Sequence, residues 1–271
     1  MYIIFYRRLR GWNPSDPCLY VFPFSMSSIM VQFTVALALR DKSHSSRKLA
    51  RMNYRLVNLH RNENLEEGYL RHVNPRGKVP ALTARSLPVP LTDSLSISYW
   101  LCEQQPSLIP ETHRRTIQRL LSQLHRIQAD NNPNPAVDDL LAREDITAEH
   151  RRALVFKRDC ERKHKEPDLD SDEEHMTDRA RCLFSDVWNE YNSFNHGGMW
   201  IFGDETGPTV LDAHVVAFIA RLIDIHLEEL VPLQLLSYAK LIIGLPEWDA
   251  VMRGMPTVWN PSLGAVDQVW T

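Results

Sequence analysis

Leu19-Tyr20-Val21-Phe22 is a short apolar run of aromatic and β-branched residues stopped by Pro23, a pattern that predicts a buried strand. Ser25-Met26-Ser27-Ser28 offers hydroxyls suited to open a helix, and Ile29 to Arg40 supplies its apolar body. The polar, basic stretch 41–52 reads as an inserted surface loop. Asn53 to Leu59 predicts a second strand and Asn64 to His72 a short polar helix. Lys78 to Leu82 predicts a strand opening on a proline, and Val89 to Thr92 another short one. Asp93-Ser94 caps an amphipathic helix through Leu101, with Leu95, Ile97, Trp100 and Leu101 apolar. The order β-α-β-α-β-β-α over 18–105 predicts a compact α/β domain with a mixed sheet.

Beyond Gln105-Pro106 the strand signals vanish. Residues 106–112 read as a linker, and 113–271 as an all-helical domain. His113 to Ala129 carries Ile117, Leu120, Leu121, Leu124 and Ile127 at helical spacing. Further helices are predicted around 173–194, 209–223, 228–243 and 246–253. Residues 1–17, with Asn13-Pro14 and Asp16-Pro17 as breakers, read as an N-terminal extension. Residues 131–172, an Asn/Pro run and then a charged stretch, read as a solvent-facing insertion with some helix.

Composition narrows the function classes. With 44% apolar and 24% charged residues, the chain of 271 residues can bury a core. A net charge of −3 leaves no basic excess to neutralise a phosphate backbone, so nucleic acid is not an expected partner. Cys18, Cys102, Cys160 and Cys182 show no CxxC spacing, which points to a reducing, cytoplasmic setting and away from zinc or disulfide frameworks. No metal site is expected, and neither GxxxxGK[ST] nor GxGxxG occurs. The uncharged run from Cys18 to Leu39 is long enough to suggest a membrane anchor. Pro23, Ser25, Ser27, Ser28, Gln32 and Thr34 interrupt it, so a buried strand and helix are expected, with no membrane partner.

Three positions carry candidate chemistry. Ser25 follows a strand at the mouth of a helix, where backbone N–H groups and the helix dipole favour a thiolate; plain capping is the alternative. Val79-Pro80 can adopt a cis peptide that presents backbone groups to a ligand, or be an ordinary edge-strand proline. Asp93-Ser94 can grip a zwitterion at a helix start, or simply cap it. Thr209 with Asp212 forms a capping box after Trp200-Ile201-Phe202-Gly203-Asp204, which assigns that motif to folding.

Taken together, these motifs resemble the soluble, cytosolic-type glutathione S-transferases, and in particular fungal serine-type members. The likeness rests on Leu19–Ser28 with its helix, Asn74-Pro75-Arg76-Gly77-Lys78-Val79-Pro80-Ala81-Leu82, Asp93-Ser94-Leu95-Ser96-Ile97, Phe202-Gly203-Asp204 and Pro208-Thr209-Val210-Leu211-Asp212. It spans 18–105, 113–130 and 175–260. The resemblance implies a thioredoxin-like N-terminal domain holding glutathione and a helical-bundle C-terminal domain shaping the electrophile pocket.

By that resemblance Ser25 is the catalytic residue facing the glutathione sulfur. Val79 pairs with the cysteinyl main chain, Pro80 is a cis proline, and Asp93 and Ser94 hold the γ-glutamyl group. Lys78 is a candidate for the glycine carboxylate. Met26, Ile29 and Met30 stand where polar residues are usual in the family, and Ser27 or Ser28 can take the role of Ser25. Cysteine-type reduction is disfavoured, because no cysteine lies in this loop.

The implied activity is glutathione conjugation to an apolar electrophilic small molecule by a homodimer, with Met26, Trp100, Phe24 and the 113–129 helix as candidate pocket walls. Alternatives are a glutathione-dependent isomerase, ring-opening or lyase-type enzyme of secondary metabolism, and a non-catalytic binding or assembly module.

Overall fold

A computed structural model describes residues 16–40, 46–127, 134–163 and 173–270. Most of the N-terminal extension, part of the 41–52 loop, residues 128–133 with the start of the Asn/Pro run, and residues 164–172 with most of the acidic run lie outside the described residues.

Three strands form one sheet in the order β2-β1-β3: β1 is Cys18–Val21, β2 Asn53–Leu56 and β3 Ala81–Thr83. β1 runs parallel to β2, with Val21 paired to Leu56, and antiparallel to β3, with Tyr20 paired to Ala81. The expected fourth strand at 89–92 reduces to a single bridge between Leu82 and Leu91. Pro88 and Pro90 lack the N–H groups that a longer ladder would need.

Helix α1, Met26–Ala38, is the pillar of the molecule; Ile29, Met30, Val31, Phe33 and Val35 are almost wholly buried. Its polar residues are satisfied locally. Gln32 Nε2 donates to the Ser28 carbonyl at 3.3 Å and Thr34 Oγ1 to the Met30 carbonyl at 2.8 Å. The uncharged run is thus a strand and a 13-residue core helix, and no helix among the described residues is long and apolar enough to cross a membrane.

A short helix α2, Arg47–Ala50, breaks the expected loop and buries Leu49. Helix α3, Glu67–His72, follows two one-turn 3-10 segments, and α4, Ser94–Gln104, packs beside α1. The second half begins with α5, Arg114–Ile127, whose five apolar positions are all buried.

The insertion differs from expectation. Helices α6, Ala136–Ala142, and α7, Ala148–Lys163, do not face solvent on all sides. Val137 and Leu154 bury against Leu65 and Leu70 of the α3 region. The charged face of α7 hides an apolar stripe too sparse to stand out in the sequence.

Helix α8, Glu173–Phe194, and α9, Val210–Asp224, complete the bundle around α5, with α10, Leu233–Ile243, and α11, Pro246–Met252, behind them. The expected helix from 228 is delayed to 233 by Pro232. Helix α12, Val266–Val269, lies near the C-terminus.

The capping box at α9 forms as expected. Asp212 is fully buried and accepts from Ile201 N at 3.0 Å, Thr209 N at 2.8 Å, Thr209 Oγ1 at 2.7 Å and Tyr238 Oη at 2.7 Å. Burial pushes its carboxyl up, while these donors pull it back. The whole is a thioredoxin-like α/β unit followed by a helical bundle.

Candidate functional site

The strand registers bring the candidate residues to one end of the sheet. Cys18 pairs with Thr83 and Tyr20 with Ala81, so the chain leaves β1 at Phe22 and enters β3 from Val79 at the same end of the sheet, where the two residues share one apolar cluster. Leu82 opposes Leu91 in an antiparallel bridge, so the segment running on to Asp93 heads toward this end. The chain following β2, Val57-Asn58, leaves the sheet at this end as well.

Ser25 is the N-cap of α1, with extended backbone, and is half-buried. Its Oγ accepts from the Ser28 N–H at 3.4 Å, which leaves the hydroxyl proton available to a ligand. Among the described residues, the N–H groups of Met26 and Ser27 have no hydrogen-bond partner, as expected at a helix start. Ser28 is fully buried and its Oγ accepts from Phe22 N at 3.3 Å, so it ties the helix back to the strand end. Ser27 is half-buried in the first turn of α1.

The Val79–Pro80 bond is cis. Neither main-chain group of Val79 has a hydrogen-bond partner among the described residues. The preceding turn is clamped on all sides. The Lys78 carbonyl accepts from Tyr69 Oη at 2.7 Å and Asn74 Nδ2 at 2.8 Å, and the Gly77 carbonyl accepts from Asn64 Nδ2 at 2.7 Å. Gly77 has φ +59, and a Cβ there would come within 3.0 Å of the Lys157 side chain. Lys157 on α7 is buried and donates to the Arg76 carbonyl at 3.1 Å and to Glu161 Oε1 at 2.7 Å. Val79 therefore emerges from a rigid turn with its main chain unsatisfied. Lys78 itself is exposed.

Asp93 caps α4, its Oδ1 accepting from Leu95 N at 3.0 Å and Ser96 N at 3.1 Å. It is exposed, and its Oδ2 has no partner among the described residues. Ser94 is buried beside it. Behind them Ser98 Oγ lies 2.9 Å from His214 Nε2, and His214 Nδ1 lies 3.1 Å from His125 Nε2. Burial lowers the pKa of both imidazoles, and the Asp93 charge partly restores His125.

The expected pocket walls are mostly core. Trp100 and the apolar face of α5 are buried inside the molecule, and Met26 packs against the same core. Phe24 is covered by the C-terminal segment, with Met255, Trp259, Leu263 and Val266 joining Phe22, Phe24 and Val79 in one apolar cluster. Sequence reasoning also missed Lys157, Arg221 and Asp267, which act over long separations and carry no local motif.

The fold is that of the glutathione transferases. A glutathione S-transferase from the Antarctic clam Laternula elliptica is 17% identical, with a TM-score of 0.54 over 89% of this chain and 93% of that chain. A Drosophila mojavensis glutathione transferase homologue with bound glutathione is 19% identical, with a TM-score of 0.52 over 87% and 90%. A bacterial zeta-class maleyl pyruvate isomerase is 22% identical, with a TM-score of 0.51 over 90% and 99%. No family model and no curated protein matches the sequence.

Proposed function

We propose that the chain binds glutathione across this sheet end and activates its thiol for attack on an apolar electrophile. The observation that carries the reading is Val79: an unsatisfied main-chain pair ahead of a cis proline, at the sheet end where the chain leaves β1 toward Ser25 and where the segment after the Leu91 bridge reaches Asp93. An extended peptide ligand supplies the missing N–H and C=O. The γ-glutamyl ammonium goes to Asp93 Oδ2, and Ser94 and the α4 N-terminus take its carboxylate.

The thiol is then directed at Ser25. The Ser25 oxygen accepts from the Ser28 N–H, which leaves its own proton free to donate to sulfur. The helix terminus adds partial positive charge, so the thiolate is favoured and its pKa falls. The thiolate attacks an electrophilic carbon and forms a C–S bond as the leaving group departs with its electron pair. Cytoplasmic location and a homodimer go with this reading.

A second reading, glutathione used and returned during an isomerisation, draws support from the likeness to the zeta-class isomerase. Calorimetric titration with glutathione, followed by assay with an activated aryl halide and with a cis-dienoic acid, separates the two. The first reading expects binding and conjugation of the halide; isomerisation without conjugate favours the second. Absence of glutathione binding contradicts both.

A further inference from the structure

The chain's own C-terminal segment is seated at the β2 side of the same sheet end. Asn58 Nδ2 donates to Asp267 Oδ1 at 2.8 Å, and Arg61 forms an ion pair with Asp267 Oδ2. Asn58 is buried, and its Oδ1 is engaged by His60 N at 3.0 Å, which fixes the amide with its N–H donors toward Asp267. A fixed amide and a guanidinium are a donor set matched to a carboxylate.

The surrounding segment is packed rather than draped. Trp259 meets His60 edge-on at 4.6 Å, and His60 meets Phe22 at 5.1 Å. Val266 is 2% exposed. Arg221 Nη2 donates to the Thr257 carbonyl at 2.8 Å. Residues 255–267 thereby rest on Phe22, Phe24 and Val79, the residues that flank the candidate site.

Across this end the order is Asn58, Phe22, Val79, Asp93, following strands β2, β1, β3 and the Leu91 bridge. A γ-glutamyl tripeptide with its amine at Asp93 and its central main chain at Val79 extends its C-terminal carboxylate away from Asp93, toward Asn58 and Arg61. That carboxylate has the chemistry of the Asp267 side chain.

We propose that Asn58 and Arg61 form a carboxylate-binding pair, that Asp267 occupies it as an internal ligand, and that the terminal carboxylate of glutathione displaces Asp267 on binding. The inference rests on the glutathione reading above. Arg61 and Asp267 side chains are 62% and 34% exposed, so one carboxylate replaces another without deep desolvation. A tethered competitor acts at high effective concentration and weakens the apparent affinity of the free ligand.

Calorimetry on the full chain tests this with glutathione and with its glycine ethyl ester, which lacks that carboxylate. Asp267→Ala is expected to bind glutathione several-fold more tightly than the unaltered chain, with Asp267→Asn in between, and the ester is expected to gain nothing. Equal or weaker glutathione binding by Asp267→Ala overturns the proposal. So does an equal gain for the ester, which would mean that the segment merely loosens. If neither the unaltered chain nor the variants bind glutathione, the reading of the preceding section fails and this inference with it.

Discussion

Arg221 on α9 donates through Nη2 to the carbonyl of Phe24 at 2.7 Å, so a cation from the helical half fixes the residue immediately before Ser25. Burial lowers the guanidinium pKa and Asp224 counters it. Asp224 Oδ2 in turn accepts from Thr257 N and Oγ1 at 2.6 Å each, which ties the C-terminal segment to the same corner. The Ser25 loop is therefore held by a residue of the helical half, 197 positions away in sequence.

Arg221→Met retains the aliphatic stem and removes the donors. The expected cost is about 1.5–3 kcal/mol, the range for hydrogen bonds from a charged group. Urea unfolding monitored by tryptophan fluorescence checks this, with the midpoint lowered and the slope unchanged.

Asp212→Ala strands four buried donors at once, from Ile201, Tyr238 and the two groups of Thr209. Each unsatisfied group costs about 1–3 kcal/mol, so this variant is expected to fall well below the stability of Arg221→Met and to accumulate as insoluble protein. Thr209→Ser keeps the cap and is expected to lose about 1 kcal/mol or less. A soluble Asp212→Ala protein with a native melting temperature would show that the network is dispensable.

The His125–His214 pair sets a pH dependence. Both imidazoles are held neutral by burial, with pKa values below the ordinary 6.5. The unfolded chain therefore takes up protons first as pH falls. Stability from this pair is fully present above about 6.5 and declines below it. Glu66 and Asp212, whose carboxyls burial raises, act in the opposite sense nearer the carboxylate range. Melting curves between pH 8 and pH 5 are expected to fall on the acid side, less steeply in His125→Gln.

Burial pushes the Cys18 thiol up to about 11 and the Cys102 thiol up to about 12, whereas Cys182 is exposed. In the native protein, iodoacetamide at pH 8 is expected to modify Cys182 and spare Cys18 and Cys102 until denaturant is added. Peptide mass mapping reads the result.

The sequence patterns that mark β1, α1 and the Thr209–Asp212 box are legible because each rests on neighbours within a few residues, whereas the cis Val79–Pro80 bond is left open by its neighbours and follows only from the family resemblance. The buried role of α7 is not legible, because Lys157 sits in a charged helix and its partner carbonyl at Arg76 lies 81 residues away. Sequence offers Ser28 as an alternative to Ser25; only the packing of α1 against β1 turns its hydroxyl toward Phe22. Trp100 and the apolar face of α5 read equally well as pocket or core, and packing against α1, α8 and α9 settles them as core. The hydrogen bond from Asn58 to Asp267 joins residues 209 positions apart, and no local signal encodes it.

The most direct test of thiol activation is the ultraviolet thiolate absorbance of glutathione bound to the protein, titrated with pH beside Ser25→Ala. Bound thiol is expected to ionise well below its solution pKa, with that shift reduced or lost in Ser25→Ala while glutathione still binds. Glutathione bound with an unshifted thiol, or a shift that Ser25→Ala leaves intact, would contradict the role assigned to Ser25.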